Sequence, residues 1–314
     1  MPGPCGNSAT DDPSGIATVD RLLAKTASRI AGRNTMILSY HPCFTGDENR
    51  LCAGRKPDST DAAAMRRAKG VILPQGCRRS LFEMAAANCD SVFPNYTLRF
   101  AFSGKTGQAK LFANTETPHP ETYSFESLAD YHENRTNPAP PFAFPFVFKF
   151  SWSGEGDNVW FVADAETFGS LLRKAVDYER TGQRGFVIQR FVETGGRSLR
   201  VVVIGGTSLS YWRIQPDSDR FGSQAAQGAF IDNDSDPVLQ AAGKSAVMHF
   251  CRKTGIDLAG FDVLFDSNAP HAAPLFLEIN YYFGRRGIGG SEAFYALLIR
   301  EIEQWIARRN LRAL

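Results

Sequence analysis

Two apolar segments near the C-terminal end of the chain carry acidic and amide side chains in otherwise hydrophobic runs. They are Gly260–Phe265, which contains Asp262, and Leu275–Asn280, which contains Glu278 and Asn280. If both segments are strands that pair antiparallel, Asp262 and Glu278 can be cross-strand neighbours, and Asn280 shares a face with Glu278. Two carboxylates and an amide oxygen on one face repel each other unless a cation lies between them, and such hard oxygen ligands suit Mg²⁺ bound together with nucleotide phosphates. The alternative is that they are ordinary polar residues on the outward face of half-buried strands.

A lysine inside an aromatic strand is a second candidate for chemistry. Lys149 lies within Phe146–Phe150, and Gly154 and Gly156 follow it within seven residues. An ammonium group packs poorly among aromatic rings unless it meets an anion, and the glycine-containing turn can close over phosphates through backbone N–H groups. Further along, Phe186–Glu193 can supply an apolar wall whose backbone donors and acceptors suit an adenine edge. Three arginines bring positive charge toward the same sheet: Arg200, Arg213 and Arg220.

The composition excludes several classes of protein. The 314 residues are 43% hydrophobic and 22% charged, which is enough for two or three domains and typical of a globular protein. A formal charge of +2 gives no support to nucleic-acid binding or to an anionic membrane surface. The chain has no apolar run of about 18 residues, as a transmembrane helix would need, and its N-terminus lacks the pattern of a secretory signal. The six cysteines lack the C-x-x-C spacing of metal and redox sites, which favours free thiols. We therefore expect a cytoplasmic protein with no nucleic-acid and no membrane partner.

Short apolar strands that alternate with helices predict a small α/β domain over residues 16–102. The predicted elements are a helix over Val19–Ala31, strands at Met36–Tyr40, Gly70–Leu73 and Ser91–Phe93, an Ala-rich helix capped at Asp58–Thr60, and a helix over Arg79–Ala87. This alternation is typical of βαβ units with a parallel sheet that is covered on both faces. Residues 1–15 are small, polar and rich in Pro and Gly, and are predicted to be a disordered tail.

Residues 103–314 are predicted to be α+β with mostly antiparallel hairpins. A short helix over Lys105–Asn114 is followed by strands at Phe146–Phe150, Asn158–Val162, Phe186–Phe191, Leu199–Ile204, Ser208–Ile214, Phe261–Phe265 and Leu275–Ile279. Three further helices are opened by Asp164, Asp236 and Ser291. The second of these is predicted to bury Leu239, Ala242, Ala246 and Phe250, and the third Phe294, Leu298, Ile302 and Trp305.

Two other motifs fail on their spacing. Gly104-Lys105-Thr106 lacks the earlier glycine of a P-loop, since position 99 is Arg99, and Gly154-x-Gly156 lacks the third glycine of a dinucleotide fingerprint. The chain has no G-x-S-x-G elbow, and its five histidines show no metal-ligand spacing.

The order of the remaining motifs resembles the ATP-grasp superfamily, most closely its RimK-type branch, with glutathione synthetase-like ligases as cousins. The motifs are Lys105, Lys149 with its glycine turn, Gln189–Glu193, Ser198-Leu199-Arg200, Asp262, and Glu278-Ile279-Asn280. The resemblance covers about residues 95–290. It implies a small parallel-sheet pre-ATP-grasp domain over 16–102 and a two-part ATP-grasp module over 103–314, with lobes of about 103–190 and 191–314.

The resemblance also implies roles for particular residues. Lys105 and Lys149 match the lysines that contact ATP phosphates and adenine, with Gly154 and Gly156 in the turn that covers them. The hinge that reads adenine would be Arg190, Phe191 and Val192, flanked by Gln189 and Glu193. The magnesium ligands would be Asp262, Glu278 and Asn280, and the catalytic arginines Arg200 and Arg213. Ser198 stands where the family usually has an aspartate near the ribose, and Gln224 where the RimK-type branch usually has an asparagine near the phosphates.

The implied reaction is ATP-dependent ligation of a carboxylate to an amine through an acyl phosphate. The implied cofactors are ATP and Mg²⁺, with Mn²⁺ as an alternative metal. The partners would be small-molecule or peptide carboxylates and amines, and a homo-oligomer is left open. A kinase with the same fold and a nucleotide-binding module without catalysis are the alternatives.

Arginines in two regions are candidates for an anionic substrate. Arg50 and Arg55 lie in the polar segment after the first strand, where α/β sheets bind ligands. Arg285 and Arg286 follow the hairpin of Asp262 and Glu278. The alternative for the first pair is that they are solvated loop charges.

Overall fold

A computed structural model describes residues 36–133, 139–152, 158–215, 229–269 and 273–312 of the chain. Several predictions fall outside these ranges. They are the tail over 1–15, the helix over Val19–Ala31, and the roles of Gly154, Gly156, Arg220 and Gln224.

The first sheet is parallel, as the alternation of strands and helices predicts. Its four strands are β1 (Ile37–Ser39), β2 (Glu48–Asn49), β3 (Gly70–Ile72) and β4 (Val92–Phe93), in the order β2-β1-β3-β4. Two helices, α1 (Ser59–Arg67) and α2 (Arg79–Asn88), pack on this sheet through buried apolar side chains. Asp58 caps α1 by accepting hydrogen bonds from the backbone of Thr60 and Asp61, as its position in the sequence predicts.

The second sheet is antiparallel and has an aromatic core. It follows the helices α3 (Thr97–Ala101) and α4 (Gly104–Asn114), and its strands are β5 (Thr122–Phe125), β6 (Phe146–Phe150), β7 (Val159–Val162) and β8 (Phe186–Arg190), in the order β5-β8-β6-β7. The helices α5 (Leu128–Glu133) and α6 (Ala165–Arg180) cover one face. Alternate residues of β6, its three phenylalanines, enter this core, so that Lys149 points to the opposite face.

The third sheet is also antiparallel and holds the hairpin from which the sequence analysis began. Its strands are β9 (Arg197–Ile204), β10 (Thr207–Ile214), β11 (Phe230–Asp232), β12 (Leu258–Leu264) and β13 (Leu275–Asn280), in the order β11-β10-β9-β12-β13. The helix α7 (Pro237–Thr254) packs on one face together with Leu111 and Phe112 of α4.

The C-terminal helix α8 (Gly290–Arg308) packs between the first and third sheets. One hydrophobic cluster contains Ile37 and Ile72 of the first sheet, Val202 of the third, and Phe294 and Trp305 of α8. The predicted inward face of α8 is confirmed, because all four of its residues are buried. The predicted Ser291 cap is wrong. The helix begins at Gly290 after Gly289, whose φ of 88° makes the turn, and the Ser291 hydroxyl accepts a hydrogen bond from Arg285 instead.

The predicted buried face of α7 is confirmed in part, because Phe250 is buried and Leu239 and Ala246 are partly buried against the same hydrophobic cluster, whereas Ala242 is exposed. The helix buries Gln240, Gly243, Val247, Phe250 and Cys251, and only Phe250 belongs to the predicted stripe. The physical reason is Gly243. A Cβ at this position would lie 2.4 Å from Leu199 Cδ2, so the absence of a side chain lets α7 approach the sheet closely at this point. Gln240 tolerates burial because its side chain hydrogen-bonds to Ser210 Oγ and to the Asn233 and Ser235 carbonyls.

These three sheets and their helices form the predicted fold class. A small parallel sheet is followed by two antiparallel sheets, as the sequence analysis expects. Short elements were missed by the sequence analysis: β2, α3, β5, α5 and β11.

Candidate active site

Four side chains lie in register across four neighbouring strands of the third sheet. Tyr211 of β10 is paired with Arg200 of β9, Arg200 with Asp262 of β12, and Asp262 with Glu278 of β13. Directly opposed residues share a face of the sheet, so these side chains form one polar row. The predicted cross-strand neighbourhood of Asp262 and Glu278 is therefore confirmed.

Asp262 is buried and its carboxylate is bound by two guanidinium groups. It accepts hydrogen bonds from Arg200 Nε at 2.5 Å and Nη2 at 3.2 Å, and Arg213 Nη2 lies 2.7 Å away. Burial acts to raise the pKa of Asp262, but the two arginines outweigh it and hold the pKa below its usual range. Asp262 is therefore a carboxylate, as a metal ligand must be, although both of its oxygens already have partners.

Gly260 makes room for Arg200 to reach Asp262. A Cβ at Gly260 would lie 3.1 Å from Arg200 Nη1 and 3.1 Å from Phe283 Cβ, tighter than almost all real contacts. The sequence analysis did not single out Gly260. Its signal was a glycine two residues before an acidic residue in a strand, where glycine often marks close approach of another group.

Arg213 has a buried donor without a partner. Its Nη2 donates to Ser198 Oγ at 3.1 Å and pairs with Asp262, whereas its buried Nε has no hydrogen-bond partner among the described residues. An unsatisfied buried guanidinium donor is costly unless an acceptor arrives. The Ser198 hydroxyl therefore helps to orient Arg213 toward the polar row, and the Arg213 Nε–H stays available to an incoming oxygen.

Glu278 and Asn280 retain free oxygen atoms. The Glu278 carboxylate makes no hydrogen bond or ion pair within the described ranges. Asn280 uses its Nδ2 to donate to Asp262 at 3.2 Å, which leaves its amide oxygen available. A register shift between Asp262 and Val263 leaves Leu277 as an extra residue, so that Leu277 and Glu278 both line the neighbouring cleft.

Lys149 lies on the second sheet and faces Glu278 across this cleft. Its ammonium donates to Gln189 Oε1 at 2.6 Å, and Gln189 Nε2 in turn donates to Thr122 Oγ1 at 2.8 Å. Burial lowers the pKa of Lys149 to about 8, and the charge of Glu278 opposes this shift. Lys149 is therefore a buried cation that no carboxylate binds directly among the described residues.

Lys105 reaches the same cleft from the first turn of α4. Burial lowers its pKa and Glu278 again opposes the shift. Gln108, one turn later, exchanges two hydrogen bonds with the backbone of Ile279, at 2.9 and 2.8 Å. These two hydrogen bonds of the Gln108 side chain attach α4 to the outer edge of β13 and so hold Lys105 near Glu278. The sequence analysis missed Gln108, whose only signal was a spacing of three residues from Lys105 on one helix face.

The cleft is narrow. Its lining includes Lys105, Lys149, Gln189 and Glu278, and its volume is about 20 Å³, close to that of one water molecule.

The segment predicted as the adenine hinge leaves β8 beside this cleft. The backbone N–H of Arg190 donates to Glu121 at 2.8 Å, and the Arg190 side chain forms an ion pair with Glu121, away from the buried face. The Glu193 carbonyl accepts from Ser267, and its carboxylate accepts from the backbone of Thr194 and Gly195. The backbone N–H and carbonyl of Val192 make no hydrogen bond with the described part of the chain.

The structure does not bring Arg50 and Arg55 to this row. Arg55 binds the fully buried Asp61 with two hydrogen bonds of 2.5 and 2.9 Å, and Arg50 binds Glu48 at 2.6 Å. Asp61 also accepts from Tyr40. These contacts hold the segment after β1 against α1, so both arginines have a structural role.

Arg285 and Arg286 directly follow the hairpin and differ in their surroundings. Arg285 stacks on Phe294 and Tyr295 and donates to Gln75 Oε1 at 3.4 Å. It forms no ion pair among the described residues. Arg286 is exposed.

The polar row has the donor chemistry of a magnesium site. Glu278 and the Asn280 amide oxygen are available hard ligands, and Asp262 would become available if one of its guanidinium partners moved away. Within the described residues there is no cluster of three His, Cys, Asp or Glu side chains, as expected when one of the three ligands is an amide. The residues present therefore fit the metal.

The family model of the RimK-like ATP-grasp domain matches residues 105–293. The chain belongs to this family. No curated protein is significantly similar to it in sequence. None of the described helices has the length and apolar character needed to span a membrane.

Solved structures share the fold at low sequence identity. A RimK domain ATP-grasp protein from Sphaerobacter thermophilus is 15% identical, with a TM-score of 0.55 over 81% of this chain and 89% of that one. A D-alanine–D-alanine ligase from Bacillus anthracis, solved with ATP, is 12% identical, with a TM-score of 0.55 over 85% and 89%. An L-amino acid ligase from Bacillus licheniformis is 14% identical, with a TM-score of 0.53 over 88% and 69%.

Proposed function

We propose that the protein is an ATP- and Mg²⁺-dependent ligase that joins a carboxylate to an amine through an acyl phosphate. The observation that carries the proposal is the meeting of the buried Lys149 and the half-buried Lys105 with Glu278, which makes no ion pair with the described residues, across one cleft beside the row of Asp262 and its arginines. Membership of the RimK-like family, and similarity in fold to ligases of D-alanine and of L-amino acids, support ATP-dependent ligation in general.

The metal would be held by Asp262, Glu278 and Asn280, with Mn²⁺ as an alternative to Mg²⁺. When bound, it would neutralise charge on the phosphates of ATP. Asp262 would then bind the metal in place of one of its guanidinium partners. Arg200 and Arg213 would be released in part toward the phosphoryl group.

The four cations of the site would bind and orient the triphosphate. Lys105 and Lys149 lie on the cleft and offer ammonium donors to phosphate oxygens. Arg213 offers its unpartnered Nε to the phosphoryl oxygen or to the oxyanion of the tetrahedral intermediate. Among the described residues two carboxylates, Asp262 and Glu278, face these four cations, a balance of charge that favours a polyanionic ligand.

The residues beside the cleft complete the proposed nucleotide site. Val192, with a free backbone N–H and carbonyl, is suited to read the adenine edge, flanked by Arg190, Phe191 and Glu193. Gln189 would hold Lys149 in place through its 2.6 Å hydrogen bond. Gly154, Gly156 and Gln224 are proposed phosphate contacts that lie outside the described residues. The division into domains near residues 102 and 190 likewise stays a proposal.

In the reaction, a substrate carboxylate attacks the γ-phosphorus of ATP, and ADP leaves. The amine then attacks the acyl carbon, the carbon–oxygen bond to phosphate breaks, and phosphate is released with an amide as product. The chain needs no nucleophilic side chain for these steps, only positioning and charge neutralisation.

Product analysis tests this function. The full chain is incubated with ATP, Mg²⁺ and a panel of amino acids and dipeptides, and the products are identified by mass spectrometry and ³¹P NMR. An amide with ADP and free phosphate supports a ligase, whereas phosphate on an acceptor hydroxyl would indicate a kinase. ATP binding with no turnover over the whole panel would favour a non-catalytic module.

Variants tie the activity to the site. Glu278→Gln should lower ATP turnover by about 100-fold or more, in line with the loss of a transition-state charge partner. Glu166→Gln, at an exposed position of α6, is the matched control and should retain wild-type turnover. Wild-type turnover in Glu278→Gln would remove Glu278 from the site.

A further inference from the structure

A second cavity, distinct from the nucleotide cleft, lies at the C-terminal ends of β1 and β3. Its volume is about 250 Å³. Its walls are mainly apolar and include Tyr40, Leu51, Pro57, Pro74, Cys77 and Leu81. Burial raises the pKa of Cys77 to about 12, so this thiol is neutral and adds to the apolar wall. A dry cavity of about 150 Å³ can hold benzene, so this one has room for an aromatic or branched side chain and several further atoms.

The charge at this cavity is positive and comes from one side chain. Arg55 also borders the cavity, but Asp61 neutralises it through two hydrogen bonds. Arg78 is an exposed residue of the cavity wall and makes no ion pair or hydrogen bond within the described part of the chain. A partner for Arg78 would be an anion such as a carboxylate, with which arginine forms paired hydrogen bonds.

The turn after β3 connects this cavity to the end of β13. Gln75 lines the cavity, donates to the Tyr281 carbonyl at 3.4 Å and accepts from Arg285 at 3.4 Å. Tyr281 directly follows Asn280, the last residue of β13 and a proposed metal ligand. One residue of the cavity wall therefore contacts the residue that directly follows Asn280.

Two exposed apolar side chains lie at this cavity. Leu51, which lines it, is 74% exposed. Tyr282 is 72% exposed, and its ring lies against Gly76, where a Cβ would come within 3.2 Å of it. Large exposed apolar side chains beside a cavity favour an apolar ligand that covers them.

We propose that this cavity binds an amino-acid substrate with a bulky apolar side chain, whose free carboxylate pairs with Arg78. The proposal rests on the ligase function proposed above and names one of its substrates. A carboxylate held by Arg78 is not the one that is phosphorylated, so this amino acid enters the reaction as the amine. Its nitrogen forms the new bond to the acyl carbon, the acyl phosphate loses phosphate, and the amine gives up a proton to solvent.

Direct binding tests this assignment without requiring turnover. L-Phenylalanine is titrated into the full chain by isothermal calorimetry, with and without Mg²⁺ and a non-hydrolysable ATP analogue. Phenethylamine, which lacks the carboxylate, should bind about tenfold more weakly or worse, because a charge-assisted hydrogen bond is lost.

Two variants with matched controls locate the site. Ala53→Trp places a ring in the cavity from an exposed loop, and Arg78→Gln removes its charge. Each should weaken L-phenylalanine binding by about tenfold or more. Ala86→Trp, on the exposed face of α2, and Arg184→Gln, in an exposed loop, should leave binding unchanged.

Several outcomes would overturn the assignment. One is the absence of saturable binding of L-phenylalanine, L-leucine and L-methionine in every condition. Another is unchanged binding in Ala53→Trp and Arg78→Gln. Ligase activity that uses only small or acidic amines would also overturn it while leaving the ligase function intact. Conversely, site-dependent binding without ATP turnover would support the cavity and remove the ligase function.

Discussion

The pH dependence of ATP use should report the protonation of Lys149. Burial lowers the pKa of Lys149 to about 8, even though Glu278 and Asp262 act to raise it. Only the protonated ammonium attracts phosphate, so activity should be present below this pKa and be lost as the pH rises through it. A group with this pKa is about ten-elevenths protonated one unit below it and about one-eleventh protonated one unit above, so kcat/KM for ATP should fall about tenfold from about pH 7 to about pH 9.

A variant separates this effect from other titrations. In Lys149→Arg the guanidinium stays charged over the whole range, so the fall near pH 8 should disappear, whatever the absolute rate. Lys174→Arg, at an exposed position of α6, should keep the wild-type profile. Steady-state kinetics with saturating Mg²⁺ across the pH range measure all three. A fall of about tenfold that persists in Lys149→Arg, or a flat wild-type profile, would refute the reasoning.

Three further changes give separate tests. Gly260→Ala should displace Arg200 and lower kcat by about tenfold or more. Gly284→Ala, whose Cβ would have no heavy atom within 4 Å, should leave kcat unchanged in the same assay. Equal effects of the two substitutions would contradict the role of Gly260. Gln108→Ala should lower the free energy of unfolding by about 1–3 kcal/mol in urea titrations, because the edge of β13 loses its partner. Burial raises the pKa of Asp257 to about 7, so its protonated form stabilises the fold at low pH and this stabilisation is lost as the pH rises. Relative to Asp257→Asn, the wild type should lose roughly 2 kcal/mol of its free energy of unfolding from about pH 5 to about pH 8. Parallel curves of unfolding free energy against pH for the two proteins would contradict this.

The strands that carry the polar row were predictable because their chemistry is local. Alternation along β12 and β13 places Asp262 opposite Glu278, and the register confirms that pairing. The convergence of Arg200 and Arg213 on Asp262 depends on the order of strands within the sheet, which spacing along the chain does not reveal.

The wrong or missing predictions have tertiary causes. The buried face of α7 is set by Gly243, whose missing side chain permits a contact that hydrophobic periodicity cannot anticipate. The strands β2 and β5 are too short to give a periodic signal. Arg50 and Arg55 were predicted to contact an anionic substrate because their partners are not evident from the sequence. Arg50 binds Glu48, and Arg55 binds Asp61, which lies in a helix and belongs to its capping box.

The central claim is that Glu278, Asp262 and Asn280 bind a divalent metal together with a nucleotide. Electron paramagnetic resonance of Mn²⁺, titrated into the full chain with a non-hydrolysable ATP analogue, measures this binding directly. We expect one or more Mn²⁺ ions to become protein-bound only when the nucleotide is present, and this signal to be lost in Glu278→Gln but kept in Glu166→Gln. Mn²⁺ binding that is equal in wild type and Glu278→Gln would contradict the account.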